Sequence, residues 1–465
     1  MPVTIDQSPL YTTLPVGQEV IFVVANNNIV ALQTKVKFIA EVYIGSVSGT
    51  AITSGTLVGV FKTTPNNRGV GIFDFNNIVE NYVKADNMAD KFSEYKGTQT
   101  NQDNHHPIHL IDKFSTNNNA VRFLGIIFKI EYLGATNCSA EQNDSVVREA
   151  CGEEVYSDNY ILFNGYVKET DVLTKSPNNN NFGYDIDKFS MESNTDQFLS
   201  NAPTTQYATT NDYGVCAFLA LDNLIEKMVV TVYHPGGSEV IDFDKTLANG
   251  AYDAAQWSLN PLKQLLYFGF YPANLRQNTT FNSYISTMTH YDVHLQYSAA
   301  ILSQTYTVNI LCPDLRGYDP IRLAWLNQWG AWDYYTFNKK SIRSIKTKGT
   351  TYEQLQGTWN EDSYRTESYK GGKKSFRVNA TEKIKINTDF VSEDYNTTFE
   401  ELINSPEVYI LEGFQTDITN SLLNQYVTPV RLTTSNFTRK TIANDKLIQY
   451  TFDLDKTKIL RTQSV

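Results

Sequence analysis

Residues 35–44 read KVKFIAEVYI, and this stretch indicates the fold class of the chain. Every even-numbered position in it is apolar, whereas Lys35, Lys37 and Glu41 stand between them. Because successive side chains of a strand point to opposite faces, the alternation predicts a β-strand with one buried face. Residues 447–454 repeat the pattern, with Ile448, Tyr450, Phe452 and Leu454 on the expected buried face and Gln449, Thr451 and Asp453 on the other.

The composition extends this prediction to the rest of the chain. It has 29 Tyr and 25 Phe against 5 Met, and aromatic and β-branched side chains suit the half-buried surface of a sheet. Since a single core rarely grows beyond about 250–300 residues, a length of 465 residues predicts several domains. We therefore expect a mainly β, multidomain protein of β-sandwich or barrel-like domains with a few short helices.

Turn signals and polar stretches give the expected domain boundaries. We predict an N-terminal β-rich domain at residues 1–175 with a polar excursion at 97–119, followed by a polar linker or arm at 176–211. A second sandwich-like domain is expected at 212–313 and a C-terminal aromatic-rich β domain at 314–465. Both polar stretches should be exposed, because their low hydrophobicity cannot offset the entropy lost when they become ordered.

The charge of the chain restricts its partners. A formal net charge of -11 disfavours binding to nucleic acid or to anionic membranes. The basic stretch Lys339–Lys348 alternates with apolar and hydroxyl residues, so it is interpreted as a solvated strand or loop. No run of about 18 apolar residues occurs, so no membrane insertion is expected, and the polar segment Met1–Gln18 predicts no secretory leader.

Four cysteines, Cys138, Cys151, Cys216 and Cys312, are scattered along the chain. Cys138 and Cys151 enclose a polar loop and could be cross-linked in an oxidising compartment. Without a leader sequence, free thiols are the favoured interpretation. No pair has the Cys-x-x-Cys spacing of a zinc or redox site, and no cofactor is expected.

Histidines cluster at two places. His105, His106 and His109 lie in an Asn-rich loop, whereas His290 and His294 are four residues apart in an expected strand. Strand positions four apart are separated by roughly 13 Å, which is too far for both to bind one ion. Surface or cross-strand imidazoles are therefore the favoured interpretation, and we predict no metal site.

The chain carries no catalytic motif such as Gly-x-Ser-x-Gly, a phosphate-binding loop ending in Gly-Lys-Ser/Thr, or His-Glu-x-x-His. Acidic residues on facing strands could still form a glycosidase site, and Asp333, Asp362 and Glu367 are weak candidates for it. We predict no catalytic or cofactor-binding residue and a protein that is not an enzyme.

Arg322–Phe337, which reads RLAWLNQWGAWDYYTF, is dense in aromatic residues. Gly330 within it predicts two strands around a tight turn. Trp and Tyr are frequent anchors of binding sites, so a platform for a sugar or a partner is one interpretation. A sandwich core with alternate rings buried is the favoured one for Trp325, Trp329, Trp332, Tyr334 and Tyr335. Further on, Thr398–Glu401 fits a capping box that begins a short helix, which Pro406 ends.

This aromatic segment, with SPEVYI at residues 405–410 and NDKLIQYTFDL at 444–454, resembles structural proteins of tailed bacteriophages of Bacteroidota-type hosts. NNRGVGIFDFNNIVENYV at 66–83 has the same character. The resemblance covers the C-terminal third and one patch near the start. It implies a role in the tail, neck or baseplate and transfers no catalytic residue. Because no repetitive shaft or coiled coil is present, a compact ring or adaptor subunit is favoured over a long fibre.

We therefore expect a virion structural protein, made in the host cytoplasm, that forms a ring of identical copies and docks on other virion proteins. A receptor- or glycan-binding protein of the particle surface, with a host-surface glycan as its partner, is the alternative. A polysaccharide or cell-wall hydrolase is the third possibility. The sequence does not indicate which residues bind the partner.

Overall fold

The structure is a computed structural model. It describes residues 2–45, 52–84, 115–116, 121–139, 141, 143–167, 186–189, 191–219, 225–244, 265–276, 278–312, 317–359, 361–412, 427–441, 448–458 and 460–461. The predicted histidine cluster at residues 105–109 lies outside these ranges, as does most of the polar excursion at 97–119.

Strands make up most of the regular structure. In chain order they are β1 (Thr4–Gln7), β2 (Thr13–Pro15), β3 (Ile21–Ala25), β4 (Lys37–Gly45), β5 (Thr56–Thr63), β6 (Val70–Asp74), β7 (Ser115–Thr116), β8 (Val121–Leu133), β9 (Val147–Glu149), β10 (Val155–Tyr156), β11 (Tyr160–Phe163), β12 (Thr205–Ala208), β13 (Val215–Leu219), β14 (Lys227–His234), β15 (Gly237–Asp244), β16 (Leu265–Gly269), β17 (His290–Tyr297), β18 (Ala300–Ile301), β19 (Tyr306–Ile310), β20 (Ile321–Leu326), β21 (Trp332–Phe337), β22 (Ile342–Gln354), β23 (Gly372–Asn387), β24 (Val408–Leu411), β25 (Val427–Leu432), β26 (Thr451–Lys456) and β27 (Leu460–Arg461).

The described α-helices are short: α1 (Asn27–Leu32), α2 (Asn76–Val79), α3 (Pro272–Leu275), α4 (Thr279–Tyr284) and α5 (Tyr395–Asn404). Single 3-10 turns lie at Ile52–Ser54 and Asp187–Phe189. In the part of the chain that the structure describes, no helix is long and apolar enough to cross a lipid bilayer.

The strands form five sheets within the described ranges. Sheet A has the order β1-β3-β6, sheet B β2-β11-β8-β4-β5 with β9 and β10 added to β8, sheet C β12-β19-β17-β14-β15 with β18 added to β17, sheet D β13-β16-β7, and sheet E β21-β20-β24-β25-β26-β23-β22 with β27 added to β23. The prediction of a mainly β, multidomain protein with a few short helices is confirmed.

Sheets A and B face each other across a core of aliphatic and aromatic side chains. Phe22 of sheet A and Phe128 of sheet B bring their ring centroids to 5.5 Å. In β4 the predicted face is buried, with Phe38, Ala40 and Val42 all fully inaccessible, whereas Lys37 is exposed. The alternation of the KVKFIAEVYI stretch therefore predicted this strand and its buried face correctly.

A second core contains buried residues from sheets B, C, D and E, between Val121 and Val427. It includes Phe163 of sheet B, Phe198 before β12, Tyr291 of sheet C, Phe268 of sheet D and Trp332 of sheet E. The sheets consequently pack against one another across the boundaries that the sequence suggested.

The expectation that residues 176–211 form an exposed polar arm is wrong for the described part of that segment. Phe198 and Leu199 are buried. The Phe198 ring stacks on Tyr306 with a centroid distance of 4.2 Å, and the Leu199 N–H donates to a β13 carbonyl oxygen at 2.8 Å. Widely spaced apolar side chains hold the segment on the core, although its average composition is polar. A deletion of Ser176–Pro203 would therefore remove core residues.

A third core lies between sheet E and α5. Residues 321–337 form two antiparallel strands, β20 and β21, around a turn in which Gly330 has a φ of 71°. A side chain at Gly330 would place its Cβ 1.8 Å from the Asn164 carbonyl oxygen, so glycine is required there. The two strands and their turn were predicted correctly.

The predicted capping box at Thr398–Glu401 is wrong. Helix α5 begins at Tyr395, so Thr398 lies inside it. The Thr398 hydroxyl donates instead to the Asn201 carbonyl oxygen at 3.2 Å. The end of the helix agrees with the sequence, since α5 stops at Asn404, two residues before Pro406.

The favoured interpretation of Cys138 and Cys151 as free thiols is also corrected, because the structure joins them by a disulfide. Cys216 and Cys312 are free, the first buried and the second exposed. The sequence left the pairing open because spacing alone does not tell how close two cysteines come. Here, β8 and β9 are paired and bring the two ends of the loop together.

The C-terminal alternation gives a test of the fold. Tyr450 is 5% exposed, and its hydroxyl donates to Asn396 Oδ1 and accepts from the Lys440 N–H. We expect Tyr450→Asp to lower the free energy of unfolding by several kcal/mol, because it buries a carboxylate. Gln449→Asp should lose about 1 kcal/mol, since this exposed side chain gives up one hydrogen bond to the Thr388 carbonyl oxygen. Urea denaturation of both variants measures the difference, and equal losses would contradict the register.

Candidate assembly surface

Strands β22 and β23 form a long antiparallel hairpin at one end of sheet E. They are 13 and 16 residues long, and their pairing runs from Ile342↔Lys385 to Gln354↔Gly372. Strand β23 also pairs with β26 at Lys383–Asn387 and with β27 at Asn379–Ala380. Beyond Asn379, towards the tip at Gln354 and Gly372, the two strands pair only with each other in the described structure. We call residues 342–387 the arm.

The arm is exposed along most of its length. Every residue of β22 except the last is exposed, so neither face of this strand is covered. The rings of Tyr352 in β22 and Phe376 in β23 contact each other diagonally across the two strands, with centroids 6.5 Å apart and an interplanar angle of 89°. Edge-to-face contacts of this kind stabilise a two-stranded ribbon that has no core beneath it.

The turn region of the arm is held in shape by Thr358, which is 3% exposed. Its hydroxyl donates to the Ser363 carbonyl oxygen at 3.0 Å and accepts from the Arg365 N–H at 2.8 Å. Glu367 and Lys370 form an ion pair at 2.9 Å in the same region. These contacts give the tip a defined conformation.

Large apolar side chains are exposed at this ordered tip. Leu355 is 71% exposed, Trp359 67%, Tyr364 60% and Tyr369 69%. The Trp359 and Tyr364 rings lie 4.8 Å apart at an angle of 48°. Aromatic side chains dominate the energetics of protein interfaces, so an exposed and preorganised group of them is a candidate contact point.

The arm differs in charge from the rest of the protein. Between Ile342 and Asn387 the chain has ten Lys and Arg and five Asp and Glu, whereas the whole chain carries a formal net charge of -11. The arm is thus a basic projection on an acidic protein. Its outer strand β22 is also the end strand of sheet E, and lysines on such an edge oppose indiscriminate strand pairing.

The aromatic segment at residues 322–337 does not contribute to this surface. The favoured core interpretation is confirmed, because its rings are all less than 8% exposed: Trp325 0%, Trp329 4%, Trp332 3%, Tyr334 6% and Tyr335 7%. Rings that are enclosed in this way cannot present a platform to a sugar.

His290 and His294, the expected strand histidines, lie in β17 in the middle of sheet C. His290 stacks on Tyr233 with a centroid distance of 4.4 Å. His294 is half-buried, and burial lowers its pKa. Among the described residues, no group of three or more His, Cys, Asp and Glu side chains converges as metal ligands do.

The three weak candidates for a hydrolase site do not converge. Asp362 and Glu367 lie at the tip of the arm, whereas Asp333 is buried at 4% exposure in β21. Asp333 is instead hydrogen-bonded to Glu401 of α5 and accepts from the Ser200 hydroxyl at 2.6 Å. Two carboxyl groups form a hydrogen bond only while they hold a proton between them. This arrangement joins three segments of the fold and leaves no room for a sugar between the acids.

The aromatic residues of the arm tip were not predicted from the sequence as a candidate site. Apart from Asp362 and Glu367, only the basic part of the arm was interpreted, as a solvated strand or loop, and the structure agrees that this stretch is exposed. A usable signal was present, because Trp359, Tyr364 and Tyr369 stand in a polar stretch without strand alternation. Aromatic residues in such a setting have no predicted face to bury.

Comparisons with known proteins do not assign the chain to a family. No protein-family model matches it, and no curated protein matches it significantly. A solved structure of a bacterial ice-binding adhesin has 10% identity, covers 84% of this chain and 93% of its own, and has a TM-score of 0.15. E. coli alpha-2-macroglobulin has 10% identity, covers 90% of this chain and 23% of its own, and has a TM-score of 0.16. Structural similarity at these TM-scores gives no information about function.

The Asp333–Glu401 pair predicts a pH dependence of stability. Burial raises the pKa of Asp333 to about 6, against the lowering effect of its hydrogen bonds with Ser200, Asn327 and Glu401. A carboxyl whose pKa is raised by folding stabilises the fold fully below its unfolded pKa, and this contribution is lost as the pH rises through about 6. We expect the wild-type free energy of unfolding to fall by on the order of 2–3 kcal/mol between pH 4 and pH 7 from this group.

Asp333→Asn should flatten this decline, because an amide can donate to Glu401 without a shared proton. Urea denaturation at pH 4, 5, 6 and 7 measures the slope. Asp362→Asn, at the exposed arm tip, is the matched control and should keep the wild-type slope. A wild-type slope in Asp333→Asn would show that the buried pair does not hold a proton.

Proposed function

We propose that this chain is a structural subunit of a tailed-phage virion, in the tail, baseplate or neck, and that it acts as a ring or adaptor protein through contacts with its own copies and with other virion proteins. The observation that carries the proposal is the exposed arm. Its outer strand is uncovered on both faces, and an ordered aromatic tip stands at its end. The resemblance of four sequence segments to phage structural proteins is the reason for proposing a virion.

The energetics of the arm support a role in assembly. Exposed large apolar side chains that are preorganised by local hydrogen bonds lose little conformational entropy when a partner covers them. A two-stranded ribbon alone is marginally stable in water, so a partner surface along β22 would stabilise it. An extended projection also lets a compact subunit reach a neighbour whose body it does not touch.

We propose further that the protein is not an enzyme. The acidic residues considered for hydrolysis are separated between the arm tip and the buried Asp333. The pKa of Glu367 is lowered, first by a hydrogen bond with Tyr369 and then by Lys370, whereas a general acid needs a raised pKa. These observations weaken the hydrolase alternative.

A glycan-binding protein of the particle surface is the second candidate function, and one observation favours it. Trp359 and Tyr364 are exposed, adjacent rings, and sugars stack on rings of this kind. This candidate places the glycan at the arm tip, whereas the sequence offered the aromatic segment at residues 322–337, which is buried.

Shortening the arm tests the proposal. Residues 351–376 can be replaced by Asn-Gly, because Thr350 and Arg377 are cross-strand partners and Asn-Gly favours a two-residue hairpin turn. The base of the arm and the core of sheet E remain. We expect the shortened protein to fold, with unchanged thermal unfolding of its body, but to lose most of its incorporation into particles, measured by quantitative mass spectrometry of purified virions.

A matched variant with the full arm, Trp359→Ala and Tyr364→Ala, separates the two candidate functions. If the arm serves assembly, this variant is incorporated less well, and host polysaccharide binding by the isolated protein is absent. Normal copy number with lost polysaccharide binding would favour the glycan-binding function. Absence of the wild-type chain from particles would overturn the virion proposal.

A further inference from the structure

A second charged surface, opposite in sign to the arm, lies on sheet B. Residues 137–158 contain six Asp and Glu and one Arg. The Cys138–Cys151 disulfide closes the first part of this segment, and β9 and β10 pair it with β8. We call residues 137–158 the acidic face. Its acidic residues are Glu141, Asp144, Glu149, Glu153, Glu154 and Asp158.

The acidic face also exposes apolar side chains. Val146 is 40% exposed, Val147 36% and Tyr156 57%. Tyr156 lines an open groove of about 730 Å³, whose walls also include Glu41, Glu141, Glu149 and Glu154 with Lys129 and Arg148. Apolar groups within a charged rim have the composition of a protein-binding patch rather than of a merely solvated loop.

The acidic face is an ordered surface. Lys129 bridges Glu41 at 2.5 Å and Glu149 at 3.5 Å, and Arg148 pairs with Glu141 at 3.3 Å. The disulfide and these ion pairs fix the loop before any partner arrives, which reduces the entropy lost on binding. The two basic side chains offset only part of the negative charge.

We infer that the arm of one copy docks on the acidic face of the next copy. This inference rests on the proposed function and names the partner of the arm. The arm has an excess of five positive charges over its length and the acidic face an excess of five negative charges. Each surface also carries exposed apolar side chains, so the contact combines charge complementarity with the burial of Ile345, Tyr352 or Phe376 against Val147 and Tyr156.

The contact is heterologous, because two different surfaces of the chain meet. Each copy then offers one arm and one acceptor, and successive copies join head to tail. Such contacts close into a ring or continue as a filament, and a ring is the form expected for a tail or neck adaptor. Opposite charges also favour correct encounters between copies and disfavour arm-to-arm contacts, since two basic ribbons repel each other.

Charge reversal on both surfaces tests the inference. Lys346, Lys348 and Lys373 are exposed in the arm, and the arm variant changes all three to Glu. Asp144 and Asp158 are exposed in the acidic face, and the face variant changes both to Lys. Sedimentation velocity of the full-length protein at low and high salt measures association.

We expect the wild-type chain to form oligomers that dissociate as the salt concentration rises, because salt screens opposite charges. Each single-surface variant should stay monomeric at concentrations at least tenfold above those at which the wild type associates. An equimolar mixture of the two variants should associate again into pairs, since the native arm of the face variant meets the native acidic face of the arm variant. The two altered surfaces each keep one net negative charge and do not attract each other.

Arg68→Glu and Glu239→Lys change exposed charges outside both surfaces and should leave association unchanged. Failure of the mixture to associate, while each variant keeps the wild-type unfolding transition, would overturn the inference. A wild-type chain that stays monomeric would also overturn the inference. Binding of the basic residues of the arm to nucleic acid, without binding to the acidic face, would overturn it as well.

The test is separable from that of the proposed function. If the wild-type chain is monomeric alone but is recovered in particles at a fixed copy number, the structural role stands and the arm has another virion protein as its partner. If the chain associates through these two surfaces but is absent from particles, the docking inference stands and the virion role fails.

Discussion

The burial of the β20–β21 hairpin on both faces is the constraint on which the rest of the fold depends. Trp332 and Tyr334 belong to the core shared with sheets C and D, whereas Trp325 and Tyr335 belong to the core beneath α5. The hairpin therefore contributes side chains to two cores. Its turn at Gly330 also packs on the end of β11, so sheet B is held by the same element.

Because the hairpin is buried on both faces, its charged side chains have their partners inside the fold, in polar clusters beside it. Arg322 is 3% exposed, and it donates from Nε to the Tyr213 carbonyl oxygen at 2.9 Å and from Nη1 to the Thr336 hydroxyl at 2.9 Å. Asp212 lies 3.5 Å from the same guanidinium group. On the other side, the Asp333–Glu401 pair holds α5 and the segment before β12. Unpaired, such groups would cost several kcal/mol, so each cluster requires its segments to stay in contact.

The sequence predicted the parts of the fold that depend on local pattern. The alternations at residues 35–44 and 447–454, the aromatic hairpin with its turn and the end of α5 all follow from side-chain periodicity or from glycine and proline. The buried segment around Phe198 did not follow, because its burial depends on pairing with β13 and stacking on Tyr306, which are distant in sequence. The Asp333–Glu401 pair was missed for the same reason, whereas the disulfide was left open because the spacing of two cysteines does not show how close they come. The aromatic residues of the arm tip were not predicted, because exposed aromatic side chains in a turn region follow no periodicity in the sequence.

The same strand that completes the core of sheet E also forms the arm, and this couples the position of the arm to the stability of the body. Ile384 and Ile386 of β23 are buried in the third core, whereas Phe376, nearer the tip, is 48% exposed. Since no linker separates the two parts, the direction of the arm is set by the sheet from which it extends. A projection fixed in this way presents its basic strand at a constant angle, which a closed ring of identical contacts requires. A flexible tether would reach more surfaces, but it would lose more entropy on docking.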